Sequence, residues 1–344
     1  MNGFGNRPNP ELMRERMEKL RRVRQDLRGV GWTMLAAELI HTWFSVLVMG
    51  ALIAQRVAPQ IDGALTAEDL FRRAAELASG MLGTDWYANA VVVITIVTAA
   101  LGVIPAAVFG RRRSLTLRPV LGLRGVPAKD IALIYVVMMG VNTLGALGVT
   151  ATDALFRATG FTIYIDIMVD DTAFSYWLMT IYAALLAPLI EEYVFRGVLL
   201  EGLRKYGERF AVVSAAVIFG LAHGNLMQFL PAVLIGWFLG YVRMKTGSWG
   251  VCVLLHALNN VTSLALDGLL GLVSGETMYT ALNILYMAAT LAAAAFVWQR
   301  MKKRFGALAE PPEPVGFSAF FSAPALIYLY LVFETMITSV TRLS

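Results

Sequence analysis

The sequence predicts an all-α integral membrane protein, a bundle of eight or nine transmembrane helices with a polar site buried between them. Three observations predict it. Of the 344 residues, 58% are apolar and only 15% charged, where a soluble chain carries about a quarter charged residues. Long apolar runs recur from one end to the other. Basic loops alternate with acidic or neutral ones, as topology in a bilayer requires.

The runs come first. Residues 31–54, 86–109, 131–151, 174–200, 226–242, 248–266, 277–298 and 319–340 each approach or exceed the roughly 20 residues that cross a hydrocarbon core. A shorter run, 210–223, makes a ninth crossing. The first 29 residues are polar and predict no cleavable signal peptide.

The net charge is +5, and its placement sets the topology. Basic clusters fall at Arg14–Arg28, Arg111–Arg113 with Arg118, Arg124 and Lys129, then Arg204, Lys205 and Arg209, then Arg243 and Lys245, and finally Arg300–Arg304. The loops between them carry Asp62, Glu68, Asp69 and Glu76, then Asp153, Asp166, Asp170 and Asp171, then Asp267 and Glu276. This alternation predicts a multi-pass protein of the cell membrane with its N-terminus in the cytoplasm. The segment Arg14–Arg28 reads as a short helix on anionic lipid headgroups, and no nucleic-acid partner is expected of it. Residues 111–125 read as an interfacial amphipathic element, 66–80 as a helix outside the membrane, and 310–316 as a Pro-rich linker. Cys252 is the single cysteine, so an intrachain disulfide is impossible.

One run breaks the apolar rule. In 187-APLIEEYVFRG-197, Glu191, Glu192 and Arg196 put three formal charges inside a predicted crossing. A charge at the bilayer centre costs from about 3 to over 10 kcal/mol, so such residues are kept where they pair or are used. Glu192 and Arg196 are spaced i, i+4 and predict an ion pair on one face. Glu191 lies about 100° around the helix from Glu192, with no partner in its own helix. Such a carboxylate is a candidate general base. Pro188 predicts a kinked or loosened helix nearby.

The three histidines are His41, His223 and His256. His223 ends 219-FGLAH-223, and His256 opens 256-HALNN-260 with Asn260 at i+4 on its face. Counted from the nearest cytoplasmic flank, Glu191 lies about 20 Å from Arg204, His223 about 21 Å from Arg209 and His256 about 16 Å from Lys245 at helical rise. Three helices therefore place Glu191, His223, His256 and Asn260 in one layer. His41 sits at i+3 from Glu38 and reads as half of a local polar pair. Phe219, and Met227, Phe229, Trp237, Phe238 and Tyr241, read as packing and interface anchors. Asn259 reads as a hydrogen bond to a neighbouring helix.

EExxxR (Glu191, Glu192, Arg196), FxxxH (Phe219, His223) and HxxxN (His256, Asn260), in this order on successive crossings, resemble the CAAX protease and bacteriocin-processing family of intramembrane proteases. The resemblance covers about 172–268. It divides the chain into a basic tail (1–29), N-terminal crossings with an outer loop and interfacial helix (30–171), a catalytic core (172–268) and C-terminal crossings (269–344). It implies that Glu191, helped by His223, activates a water as general base. His256 and Asn260 then stabilise the oxyanion, with Glu192, Arg196 and Phe219 in support. It also implies a membrane-embedded or lipidated peptide substrate. A second version within the family places Zn²⁺ on His223, His256 and Glu191, and both remain open here; no HExxH, GxSG or GxGD motif is present. Read without the resemblance, the same buried polar cluster would also serve a proton-coupled transporter or a non-catalytic membrane scaffold.

Overall fold

A computed structural model of the chain describes residues 10–61, 66–115, 123, 125–164, 172–310 and 317–343. The elements in chain order are α1 (Pro10–Leu39), α2 (Ser45–Val57), α3 (Ala67–Ser79), α4 (Asp85–Leu101), α5 (Val103–Arg112), α6 (Ala128–Arg157), β1 (Phe161–Ile163), α7 (Ala173–Ile181), α8 (Ala187–Glu192), α9 (Leu200–Leu203), α10 (Glu208–Leu221), α11 (Leu226–Thr246), α12 (Trp249–Gly271), α13 (Glu276–Phe305), α14 (Ala323–Thr338) and β2 (Val340–Arg342). The fold is all-α but for the ribbon in which β1 pairs antiparallel with β2.

Among the described residues, seven helices are long and apolar enough to cross a membrane: Met13–Gln60, Asp85–Arg112, Ala128–Arg157, Ala173–Tyr206, Leu226–Thr246, Trp249–Gly271 and Glu276–Phe305. Two of the expected crossings are shorter. α14 has 16 residues, and α10 has 14, a rise of about 21 Å against a hydrocarbon core of about 30 Å. The sequence count of eight or nine is therefore approximate. The reason is local: α10 stops at the turn after Leu221, where Gly224 takes φ +64° and Asn225 caps α11 by accepting the Gln228 N–H. α10 and α11 thus form a helical hairpin whose turn carries His223.

The N-terminal segment departs from expectation. It is no separate surface helix, because α1 runs unbroken from Pro10 through the start of the first crossing. Val23, Leu27 and Val30 enter the main hydrophobic core. Between them Asp26, 3% exposed, is met by Arg113, by Lys205 Nζ at 2.5 Å and by the Tyr206 hydroxyl at 2.7 Å. The outer-loop helix is present as α3, capped by Thr66. The interfacial element expected at 111–125 lies largely outside the described residues, as do the linker at 311–316 and residues 1–9 of the tail.

α6 packs on α13 and α11, α1 on α14, and α10 on α11. Small residues let these backbones approach, as is usual between helices in lipid. A Cβ on Gly140 of α6 would lie 2.3 Å from the Ala294 Cβ of α13. The stretch from α7 to α12 carries the site residues picked out in the sequence, from Glu191 to Asn260.

Candidate active site

The segment from Ala173 to Tyr206 is one rod that ends in a 3₁₀ turn at Arg204–Tyr206 and has two irregularities before it. Wider π-turns span Tyr182–Leu186 and Tyr193–Leu199, and α8 lies between them. Such turns frequently mark functional sites. Pro188 explains part of the first. The Ala187 N–H bonds the Tyr182 carbonyl five residues back, and Pro188 has no N–H to give. The Ala183 carbonyl thus loses both its α-register and its π-register donor. Asn260 of α12 supplies the replacement, its Nδ2 donating to that carbonyl at 2.8 Å. The loosening expected at Pro188 is real, and Asn260 answers it.

Glu192 and Arg196 form the expected pair, fully buried at 0% and 1% exposure. Glu192 Oε1 accepts from Arg196 at 2.9 Å and from His256 Nδ1 at 2.9 Å. Arg196 also donates to the Gly236 carbonyl at 3.1 Å, and its guanidinium lies 4.6 Å from the Phe219 ring centre. Burial of this pair is tolerable because Arg196 is satisfied by a carboxylate, a carbonyl and a ring face together. Gly236 is required at the contact: a Cβ there would fall 2.9 Å from the Phe219 ring and 3.4 Å from Arg196.

Glu191 faces the other way. Its Oε2 lies 3.7 Å from His256 Nε2, and its side chain lines a cavity of about 220 Å³ together with His223, Tyr182, Phe219, Glu38 and His41. His223 Nδ1 donates to the Phe219 carbonyl at 2.9 Å. A carbonyl only accepts, so this bond fixes the tautomer and leaves Nε2 with its lone pair. The same logic applies to His256, whose Nδ1–H points at the Glu192 carboxylate. Phe219 stands edge-on to both imidazoles, with ring centres 4.9 Å from His223 and 5.9 Å from His256. It is packing, as expected, and it spaces the two rings.

The structure therefore brings Glu191, His223 and His256 together and joins Glu192, Arg196 and Phe219 to them. Asn260 is engaged on Ala183 and does not line the cavity; its Oδ1 accepts from Asn259 at 3.3 Å, and its second amide hydrogen remains. The expected Glu38–His41 pair does not form. Glu38 accepts from the Thr42 hydroxyl at 3.1 Å, and His41 Nδ1 lies 3.1 Å from Thr98 Oγ1 on α4. The cause is the π-turn at Ile40–Phe44, which turns His41 away from an ideal i+3 position. Sequence reasoning missed Gly236, whose only signal was a glycine inside an apolar helix. For zinc, the described residues contain no group of three His, Cys, Asp or Glu side chains placed to hold a metal ion. The Nδ1 bonds of His256 to Glu192 and of His223 to the Phe219 carbonyl leave each Nε2 open, as in a metal-ligating histidine, but these imidazoles and Glu191 are not placed as three ligands of one ion. On that geometry the side chains present do not fit the expected metal set.

Residues 173–262 match the family model described as type II CAAX prenyl endopeptidase Rce1-like. The matched stretch contains all three motifs, from Glu191 to Asn260. The resemblance read from those motifs is borne out, and the match is consistent with an intramembrane protease of the CAAX protease and bacteriocin-processing family. No curated protein and no solved structure matches the chain.

Proposed function

We propose that this chain is an intramembrane endopeptidase that hydrolyses a peptide bond of a membrane-embedded or lipidated substrate. The observation that carries the reading is the position of Glu191, which lines one cavity with His223 and lies 3.7 Å from His256 Nε2, inside the segment the family model matches. The chemistry follows from the tautomers. A water at the cavity gives a hydrogen bond to the His223 Nε2 lone pair, and Glu191 takes its proton. The water oxygen bonds the scissile carbonyl carbon, whose π electrons move to oxygen. A proton on His256 Nε2, beside Glu191, makes that ring a donor to the oxyanion, and Asn260, bound to the Ala183 carbonyl, braces the helix that carries Glu191. Collapse breaks the C–N bond, and the proton held by Glu191 passes to the leaving nitrogen. Glu192 orients His256 through Nδ1, as a third group does in other acid–base sites. No step runs through a metal.

In this reading the N-terminus faces the cytoplasm. There Arg14, Arg16, Arg21, Arg24 and Arg28, all exposed on α1, meet anionic lipid headgroups. The test is cleavage of a quenched farnesylated CAAX peptide, and of tagged membrane proteins, by purified protein in liposomes. Glu191→Ala, His223→Ala and His256→Ala are each expected to abolish cleavage while eluting as folded protein in detergent. Full activity in Glu191→Ala removes the base and with it the mechanism. Proton flux without cleavage identifies a transporter instead.

A further inference from the structure

The third histidine has the same arrangement as the other two. Thr98 Oγ1 carries one hydrogen, which it directs to the carbonyls of Ile94 at 2.9 Å and Thr95 at 3.0 Å. Toward His41, 3.1 Å away, it can only accept, so His41 Nδ1 donates and Nε2 keeps its lone pair. Every histidine of the chain is thus pinned through Nδ1: His41 by Thr98, His223 by Phe219, His256 by Glu192. His41, His223 and Glu191 line one cavity. His41 is on the first crossing, far outside the matched 173–262. It sits in a π-turn near the middle of the apolar run 31–54, where an ionisable side chain is a functional candidate.

Resting on the endopeptidase reading above, we propose that His41 is a substrate-positioning residue: its Nε2 accepts a backbone N–H of the bound peptide, holding the chain across the cavity from Glu191. An extended peptide drawn from the hydrocarbon region into the cavity needs fixed acceptors for its amide hydrogens. The cavity lining offers such an acceptor at His41, with the Glu38 carboxylate one turn before it. No covalent step is assigned to His41.

The experiment compares His41→Phe, which keeps a ring and removes the acceptor, with His41→Gln, which restores an acceptor oxygen near the Nε2 position. The probe is the quenched farnesylated CAAX peptide in liposomes. His41→Phe is expected to raise KM about three- to tenfold with kcat changed less than about threefold, the size of one net hydrogen bond. His41→Gln is expected to recover most of that loss. A merely structural role would lower the folded fraction or kcat and would not be rescued by Gln. Unchanged KM in His41→Phe overturns the proposal. Binding of the same peptide to the Glu191→Ala protein in nanodiscs, read by fluorescence anisotropy, decides the matter independently of turnover. A three- to tenfold weaker Kd on adding His41→Phe supports it, and an equal Kd overturns it. A wild type that binds but does not cleave sinks the protease reading and leaves the His41 result standing.

Discussion

Replacing Arg196 by Met removes three contacts at once: the 2.9 Å bond to Glu192, the 3.1 Å bond to the Gly236 carbonyl and the stack on Phe219. Glu192 then keeps its charge at 0% exposure with only His256 beside it. Breaking one side of a buried pair costs about 3–5 kcal/mol, a large share of the roughly 5–15 kcal/mol that holds a typical domain folded. The double variant Glu192→Gln/Arg196→Met should behave differently. No stranded charge remains, and the Gln oxygen still accepts from His256 Nδ1. What is lost is the gap between a charge-assisted and a neutral hydrogen bond, about 1–2 kcal/mol. The double variant is therefore expected to be more stable than the single one by about 2–3 kcal/mol, yet to remain slow in cleavage because His256 now faces a neutral amide. Unfolding by SDS titration of detergent-solubilised protein, followed by circular dichroism, measures the first quantity. Cleavage of the quenched peptide measures the second. A single variant within about 1 kcal/mol of wild type, or a double variant no better than the single, refutes the account of why the pair is retained.

Asn260→Ala strands the Ala183 carbonyl and is expected to cost about 1–3 kcal/mol. Pro188→Ala restores an N–H in the π-register, so the Pro188→Ala/Asn260→Ala protein should be more stable than Asn260→Ala alone; additive losses in the same SDS titration would refute the link. Gly236→Ala, with a Cβ 2.9 Å from the Phe219 ring, should displace Phe219 and Arg196 and lose stability by about 1–3 kcal/mol, together with cleavage. Dialysis against a chelator should leave the cleavage rate unchanged, because the site side chains do not converge as metal ligands; loss that returns with added Zn²⁺ would overturn that geometry.

What could be read in advance was what spacing controls. Glu192 and Arg196 at i, i+4 had to meet, and depth counted from basic flanks put Glu191, His223 and His256 in one layer. Both arguments depend only on helical rise and on the charge of the loops. The unread parts depend on packing between helices. Nothing in 182–199 announces two π-turns, and without them the freed Ala183 carbonyl and its partner Asn260 are invisible. His256 was expected to face the scissile carbonyl through its ring; that Glu192 holds its Nδ1 follows from how α12 sits on α8. The short α10 escaped for a similar reason: its apolar content matches a crossing, and only the turn at Gly224 ends it early. Glu38 and His41 looked like neighbours on an ideal helix, and the π-turn between Ile40 and Phe44 separated them.

The two wide turns around Ala187–Glu192 have one more consequence. A π-turn fits an additional residue into the axial space of an ordinary turn, so each acts as a rotary joint in the rod's winding. With a joint above and another below, the six residues between them can hold an azimuth that neither outer stretch dictates. The greasy ends can then follow the thickness of the surrounding bilayer while the two carboxylates keep their bearing toward the imidazoles.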